Sequence, residues 1–164
     1  MLIGIDIGTS GTKTVLFDDS GKKISSCTVE YPLYQPQNGW AEQEPEDWWH
    51  ACCQSISAIL KKAEISGDEI KAIGLSGQMH GLCMLDKEGN SLRKSIIWCD
   101  GRTSEECEEI TSIIGYDKLI DITCNPALTG FTASKIRWVM KHEPQIYEKC
   151  KKILSFVNII NNCL

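Results

Sequence analysis

The chain is poor in several things that would have classified it quickly. No apolar run approaches the length of a membrane span, and the start lacks the basic and apolar segments of a secretory signal. A cytosolic protein is therefore the expectation. Cations are in deficit: 17 Lys and Arg against 22 Asp and Glu leave a net charge of -5. That argues against a nucleic-acid partner, which would want a basic face. The nine cysteines include no CxxC pair and are odd in number, which argues against a zinc site or a disulfide framework. Buried free thiols are expected instead. There is no GxxxxGK[ST] loop, no GxGxxG, no internal repeat and no low-complexity segment. What remains is a 164-residue chain, 42% hydrophobic and 24% charged, long enough for one domain with a sizeable core.

The richest stretch is LIGIDIGTSGTK, residues 2 to 13. Leu2, Ile3, Ile5 and Ile7 form a short apolar run that reads as a buried strand. An acid inside such a run, Asp6, is costly unless it meets a cation or several donors. Gly8 and Gly11 allow a turn, while Thr9, Ser10 and Thr12 supply hydroxyls and exposed amides. Lys13 adds a positive charge as a second strand, Thr12 to Phe17, begins. Strand, acid, Gly-Thr turn and strand together suit phosphate and metal. A tight hairpin with a solvated acid is the plain alternative.

Beyond it, Asp18 to Lys22 reads as a hairpin turn and Ile24 to Tyr31 as a third strand. A loop from Pro32 to Glu44 precedes a helix from Pro45 to Ala63, with Glu46 and Asp47 at its start and Lys61 and Lys62 at its end. Trp48, Cys52, Ile56, Ile59 and Ala63 recur at helical spacing and predict one buried stripe. Ile70 to Leu75 is the next strand, with parallel pairing to an earlier one expected from the strand-helix-strand order. Leu82 to Asp86 and Ile96 to Trp98 read as strands, and Arg102 to Ile114 as a helix. Ser134 to Lys141 is a short helix stopped before Pro144, and Gln145 to Lys151 a further turn or two. The order fits half of a ribonuclease-H-like or actin-like ATPase, an α/β fold.

Three further segments carry polar residues. GLSGQMHG, Gly74 to Gly81, begins at a strand end, where α/β sheets bind ligands. Gln78 and His80 could bond hydroxyls, and Met79 could offer a backbone amide and an apolar wall. A plain turn with a surface histidine stays open beside that. IIWCDGRT, Ile96 to Thr103, reads as a structural turn leading into a helix. In NPALTGFTASKIRWV, Thr132 or Ser134 is expected to cap the helix carrying Lys135 and Trp138. The aromatics of WAEQEPEDWW, Trp40 to Trp49, are expected to pack.

Taken in order, LIGIDIGTSGTK, NGWAEQEPEDWW, GLSGQMHG, WCDGR and NPALTGFTASKIRWV resemble the sugar kinases of the FGGY family across nearly the whole chain. GQMH resembles the xylulokinase branch, whereas glycerol kinase relatives carry Gln-Arg-Glu there. The resemblance implies an actin-like ATPase fold in two domains. It also implies phosphoryl transfer from MgATP to a sugar hydroxyl, in this branch the 5-hydroxyl of D-xylulose. Asp6 then resembles the family's metal-associated acid, acting on Mg largely through water. Gly8, Thr9, Ser10, Gly11, Thr12 and Lys13 match its first phosphate loop, and Gln78, Met79 and His80 its sugar contact. The implied ligands are ATP, Mg and a small sugar, with no nucleic acid and no membrane, and with a homodimer left open for a longer protein.

The family's catalytic base, an Asp in a later segment, has no match here, nor has its adenine-binding part. The tail KILSFVNIINNCL departs from the family wording at Ser155 to Asn158. Residues 1 to 164 are therefore expected to form the N-terminal portion of such a kinase, incomplete and without the C-terminal nucleotide-binding domain. Gluconate, ribulose or glycerol as substrate stays open, as does a non-catalytic remnant that holds sugar or phosphate weakly.

Overall fold

A computed structural model describes residues 1 to 155. In chain order, strands β1 (Leu2–Ile7), β2 (Gly11–Phe17), β3 (Lys23–Glu30) and β4 (Glu42–Gln43) precede helix α1 (Pro45–Ala63). Strands β5 (Ala72–Gly77), β6 (Cys83–Leu85) and β7 (Ser95–Ile96) come next. Helices α2 (Ser104–Ile114), α3 (Tyr116–Thr123), α4 (Thr132–His142) and α5 (Pro144–Lys149) lead to β8 (Lys152–Leu154). The chain divides into two compact units. Among described residues, the first holds Met1–Leu33 and Glu44–Gln78, the second Tyr34–Gln43 and Met79–Ser155.

The first unit is a four-stranded sheet ordered β3-β2-β1-β5, antiparallel except for the parallel pair β1–β5. That parallel pairing was expected from the strand-helix-strand order. Helix α1 packs on β2 and β3, and its span matches the expected one at both ends. Pro45 begins it, and Glu64, left-handed at φ 54°, ends it with backbone bonds to the last turn. Ile3, Ile5, Ile7, Thr12, Thr14 and Leu16 are buried on one side of the sheet. The Thr14 and Ser55 hydroxyls bond at 2.6 Å between β2 and α1.

The expected buried strand is buried on one face only. β1 alternates, with Ile3, Ile5 and Ile7 buried while Leu2 and Asp6 are exposed, so Asp6 does not bear the cost of burial. β5 starts two residues later than expected. Ile70 instead closes a single 3₁₀ turn, Gly67–Glu69, its amide donating to Gly67.

Among described residues the second unit pairs β4 with β7 and β6 with β8, with an isolated bridge between Leu82 and Ile96. Its core is Leu82, Met84, Ile96, Trp138 and Val139, with Trp40, Ile136, Ile146 and Cys150 against it. Trp40 meets Trp138 edge to face at 5.4 Å, so this aromatic packs as expected. Helix α2 begins at Ser104 rather than Arg102, because both the Arg102 backbone and its side chain are bound by Asp100. Neither Thr132 nor Ser134 caps α4. Phe131 is the capping residue and makes no side-chain bond. Ser134 lies a turn inside, its hydroxyl 3.1 Å from the Phe131 carbonyl and 3.0 Å from the Thr103 hydroxyl.

The thiols are less uniformly buried than expected. Cys52, Cys83 and Cys107 are buried, but Cys53, Cys99 and Cys124 are exposed, and none of these six is in a disulfide. Among described residues no helix is long and apolar enough to cross a membrane. Of the tail segment, Lys152–Leu154 is β8, and residues 156 to 164 lie outside the described residues.

Candidate active site

In the first unit the candidate phosphate loop is a hairpin tip. The Gly8 amide donates to the Gly11 carbonyl at 3.0 Å, leaving Thr9 and Ser10 at the apex. Two side chains brace it from outside, both meeting the Gly8 carbonyl. Tyr31 donates its hydroxyl at 2.5 Å and Gln78 its amide at 3.4 Å. Burial pushes the Tyr31 hydroxyl up to about 12, so it stays a donor at any physiological pH.

The two glycines serve close approach rather than positive φ, which neither adopts. A Cβ on Gly11 would stand 2.7 Å from the Val29 carbonyl, and one on Gly8 3.3 Å from that of Gly11. Of the expected phosphate donors, Thr12 is turned away. It is fully buried in the face shared with Ile5 and Leu16, so its hydroxyl does not reach a ligand at the tip. The Gly8 amide is committed internally. Ser10 and Lys13 remain exposed, and Thr9 half-exposed.

Asp6 and Lys13 stand opposite each other in the β1–β2 register, and Ser76 of β5 stands beside Asp6 on its other flank. Alternation puts all three on the face away from the buried isoleucines. Gly4 and Gly74, paired two residues back, leave that face hollow. The resulting depression is lined by Asp6, Lys13, Val15, Phe17 and Ser76 together with the glycines. Ser76 was not singled out in the sequence for this face. Period-two counting back from β1 would have found it.

The segment GQMH straddles the two units. Gln78 belongs to the first, extending β5 through its amide bond to the Ile7 carbonyl. Its side chain serves the Gly8 loop, a bracing contact that sequence reading missed. Met79 and His80 begin the second unit. Met79 is 68% exposed. His80 is exposed and left-handed at φ 63°, one of three non-glycine residues so placed among those described. Its ring lies 4.7 Å from that of Phe131, and its carbonyl accepts from Lys135 at 2.7 Å and Thr132 at 3.4 Å. Beside it opens a hollow lined by Ile110, Leu119, Pro126, Leu128 and Phe131. Those apolar walls do not match a sugar's hydroxyls, so the sugar reading rests on the Met79–His80 turn itself.

WCDGR is structural, as expected. Asp100 is 1% exposed, holds Arg102 at 2.7 Å, and accepts the Ala41 amide at 2.6 Å. Arg102 also reaches Glu42 at 2.8 Å, and its guanidinium lies 3.7 Å from the centre of the Trp40 ring. Arg93 completes the network through Glu42 and Glu143.

Geometry of this kind can be compared with known proteins. The chain is 41% identical over 148 residues to the xylulose kinase of Bacillus subtilis (strain 168), covering 90% of this chain and 30% of that protein. It superposes on a xyloylose kinase from Brucella ovis with TM-score 0.91 at 35% identity, covering 97% of this chain and 33% of that one. A gluconate kinase from Lactobacillus acidophilus gives TM-score 0.89 at 29% identity, covering 97% and 32%. The chain thus spans about a third of the length of the relatives it matches. These crystal structures share the α/β, actin-like arrangement of its strands and helices over nearly all of it. The FGGY carbohydrate-kinase N-terminal domain matches residues 1 to 164, and the chain belongs to the FGGY family of carbohydrate kinases.

Proposed function

We propose that the protein carrying this chain transfers the γ-phosphoryl of ATP, with Mg, to the 5-hydroxyl of D-xylulose in the cytoplasm. The observation that carries the substrate is the Met79–His80 turn, an exposed pair in which His80 is held in a left-handed backbone conformation that a plain surface loop does not require. Similarity to xylulose kinases supports the same choice. The gluconate kinase likeness makes a sugar acid the second reading.

The residues fit the nucleotide's metal in one particular way. Among described residues no group of three or more His, Cys, Asp or Glu could hold a metal ion, so an all-protein cage does not fit. A single exposed carboxylate, Asp6, fits an Mg²⁺ that arrives on phosphate oxygens and keeps its waters. When bound, the metal neutralises the charge of the transferring group. Asp6 would accept hydrogen bonds from its hydration shell. Lys13 and the Ser10 hydroxyl would meet phosphate oxygens at the hairpin tip, and Tyr31 and Gln78 keep that tip in place. In the second unit, His80 would bond a sugar hydroxyl through its ring, with Met79 as the apolar wall.

The proton of the attacking hydroxyl needs an acceptor that none of these residues supplies. We assign it, with the adenine-binding part, to later segments of the family's longer chain, so that residues 1 to 164 form the N-terminal portion of the kinase. A coupled ADP-release assay on the complete kinase, run over D-xylulose, D-ribulose, gluconate and glycerol, tests the reading. D-xylulose should give the highest kcat/KM; a preference for gluconate or glycerol would overturn it.

A further inference from the structure

His80 sits in a left-handed conformation that a side chain adopts only when its surroundings hold it there. What holds it is the start of α4. Lys135 is fully buried, yet its ammonium ends on two backbone carbonyls, those of His80 and Gly130, each at 2.7 Å. Thr132 adds a second donor to the His80 carbonyl at 3.4 Å. Phe131 lies under the imidazole ring. Gly130 is itself fixed, since a Cβ there would stand 3.0 Å from the Trp98 carbonyl.

A buried lysine is costly, and among the described residues Lys135 makes no direct ion pair. Burial pulls its ammonium down to about 8, against the attraction of Asp100. Leucine or methionine would fill the space at lower cost. Neither could draw two carbonyls from segments fifty residues apart onto one point. Even the neutral amine keeps two N–H groups, enough for both.

We propose that Lys135 is a positioning residue for the substrate: by clamping the His80 and Gly130 carbonyls it sets the angle at which the Met79–His80 turn meets the sugar. This rests on the reading of that turn as the sugar contact. Lys135 touches neither sugar nor phosphate in this account. Its effect should therefore fall on sugar affinity and spare the nucleotide.

Three variants of the complete kinase test it. Lys135→Met should raise KM for D-xylulose about tenfold or more, the size expected for misplacing one buried polar contact, while KM for ATP moves less than about threefold. Lys135→Arg, which keeps donors, should recover part of the loss. Thr132→Val should give a smaller rise of the same kind, and carries the test alone if Lys135→Met does not fold. Equal rises in both KM values, or an unchanged sugar KM in Thr132→Val, would overturn the proposal. Amide hydrogen exchange supplies a readout independent of activity. Residues 79 to 82 should exchange faster in Lys135→Met while β1 and β2 do not change, and unchanged exchange there would also overturn it. If the wild-type kinase ignores pentuloses but exchange still accelerates, the functional reading fails and the clamp stands.

Discussion

The two units hold their candidate residues by different physics. The first uses regular structure. A hairpin tip, a period-two alternation and two glycines place Asp6, Ser10 and Lys13 chiefly by backbone geometry, with the Tyr31 and Gln78 side chains bracing the tip. Among described residues the second has no sheet larger than two strands, and it holds His80 by polar side chains reaching across long stretches of sequence. Lys135 grips His80 from 55 residues away, and Arg93, Arg102, Glu42 and Asp100 tie three segments around Trp40 and Trp138. A regular frame tolerates loss of one side chain; a polar network does not, because each removal strands a buried partner.

The sharpest break in the comparison is to ask whether both units suffice. We predict that the 164-residue chain alone gives no ATP-dependent phosphorylation of D-xylulose, since the proposed reading assigns the proton acceptor and the adenine site to later segments of the family's longer chain. Turnover by the pure chain that disappears in Asp6→Asn would show this wrong. Next in size, Asp100→Ala should destabilise the second unit by about 3 to 5 kcal/mol, because the Arg102 side chain, 1% exposed, is left with half its partners gone. Urea unfolding followed by tryptophan fluorescence reads this, and a loss under about 1 kcal/mol would mean that the network is ornamental.

Smaller effects sharpen the contrast from the first unit. Asp6→Asn in the complete kinase should raise the barrier to turnover by about 2 to 4 kcal/mol with little change in folding stability, since the side chain is exposed. Near-normal kinetics would remove Asp6 from the site. Gly11→Ala should cost about 1 to 3 kcal/mol of stability by forcing β2 away from β3. A stabilising effect, as for a glycine needed only for loop freedom, would refute the close-approach account.

How much of this was readable in the chain divides along the same line. The first unit was legible because its signals are local. IGIDIG alternates, Pro45 and the paired charges mark both ends of α1, and strand-helix-strand fixes the parallel β1–β5 pair. What failed there was the face of a residue. Thr12 is one position from Lys13, and that single step turns its hydroxyl from ligand to core. In the second unit the short strands β4 and β8 and helix α3 went unread. The strands owe their existence to partners far along the chain, and α3, eight residues between a glycine and a left-handed cysteine, carries too short a pattern. Lys135 was seen only as a residue on a helix. No pattern in TASKIRW says that its amine is buried or that it ends on the His80 carbonyl.

The account's central claim is that the two units divide the labour, phosphate in the first and sugar in the second. The most direct measurement compares KM for D-xylulose and KM for ATP in His80→Ala of the complete kinase, with circular dichroism to establish folding. The account predicts a rise in sugar KM equivalent to about 1 to 3 kcal/mol, with the ATP value nearly unchanged. Equal weakening of both ligands in a folded protein would contradict it.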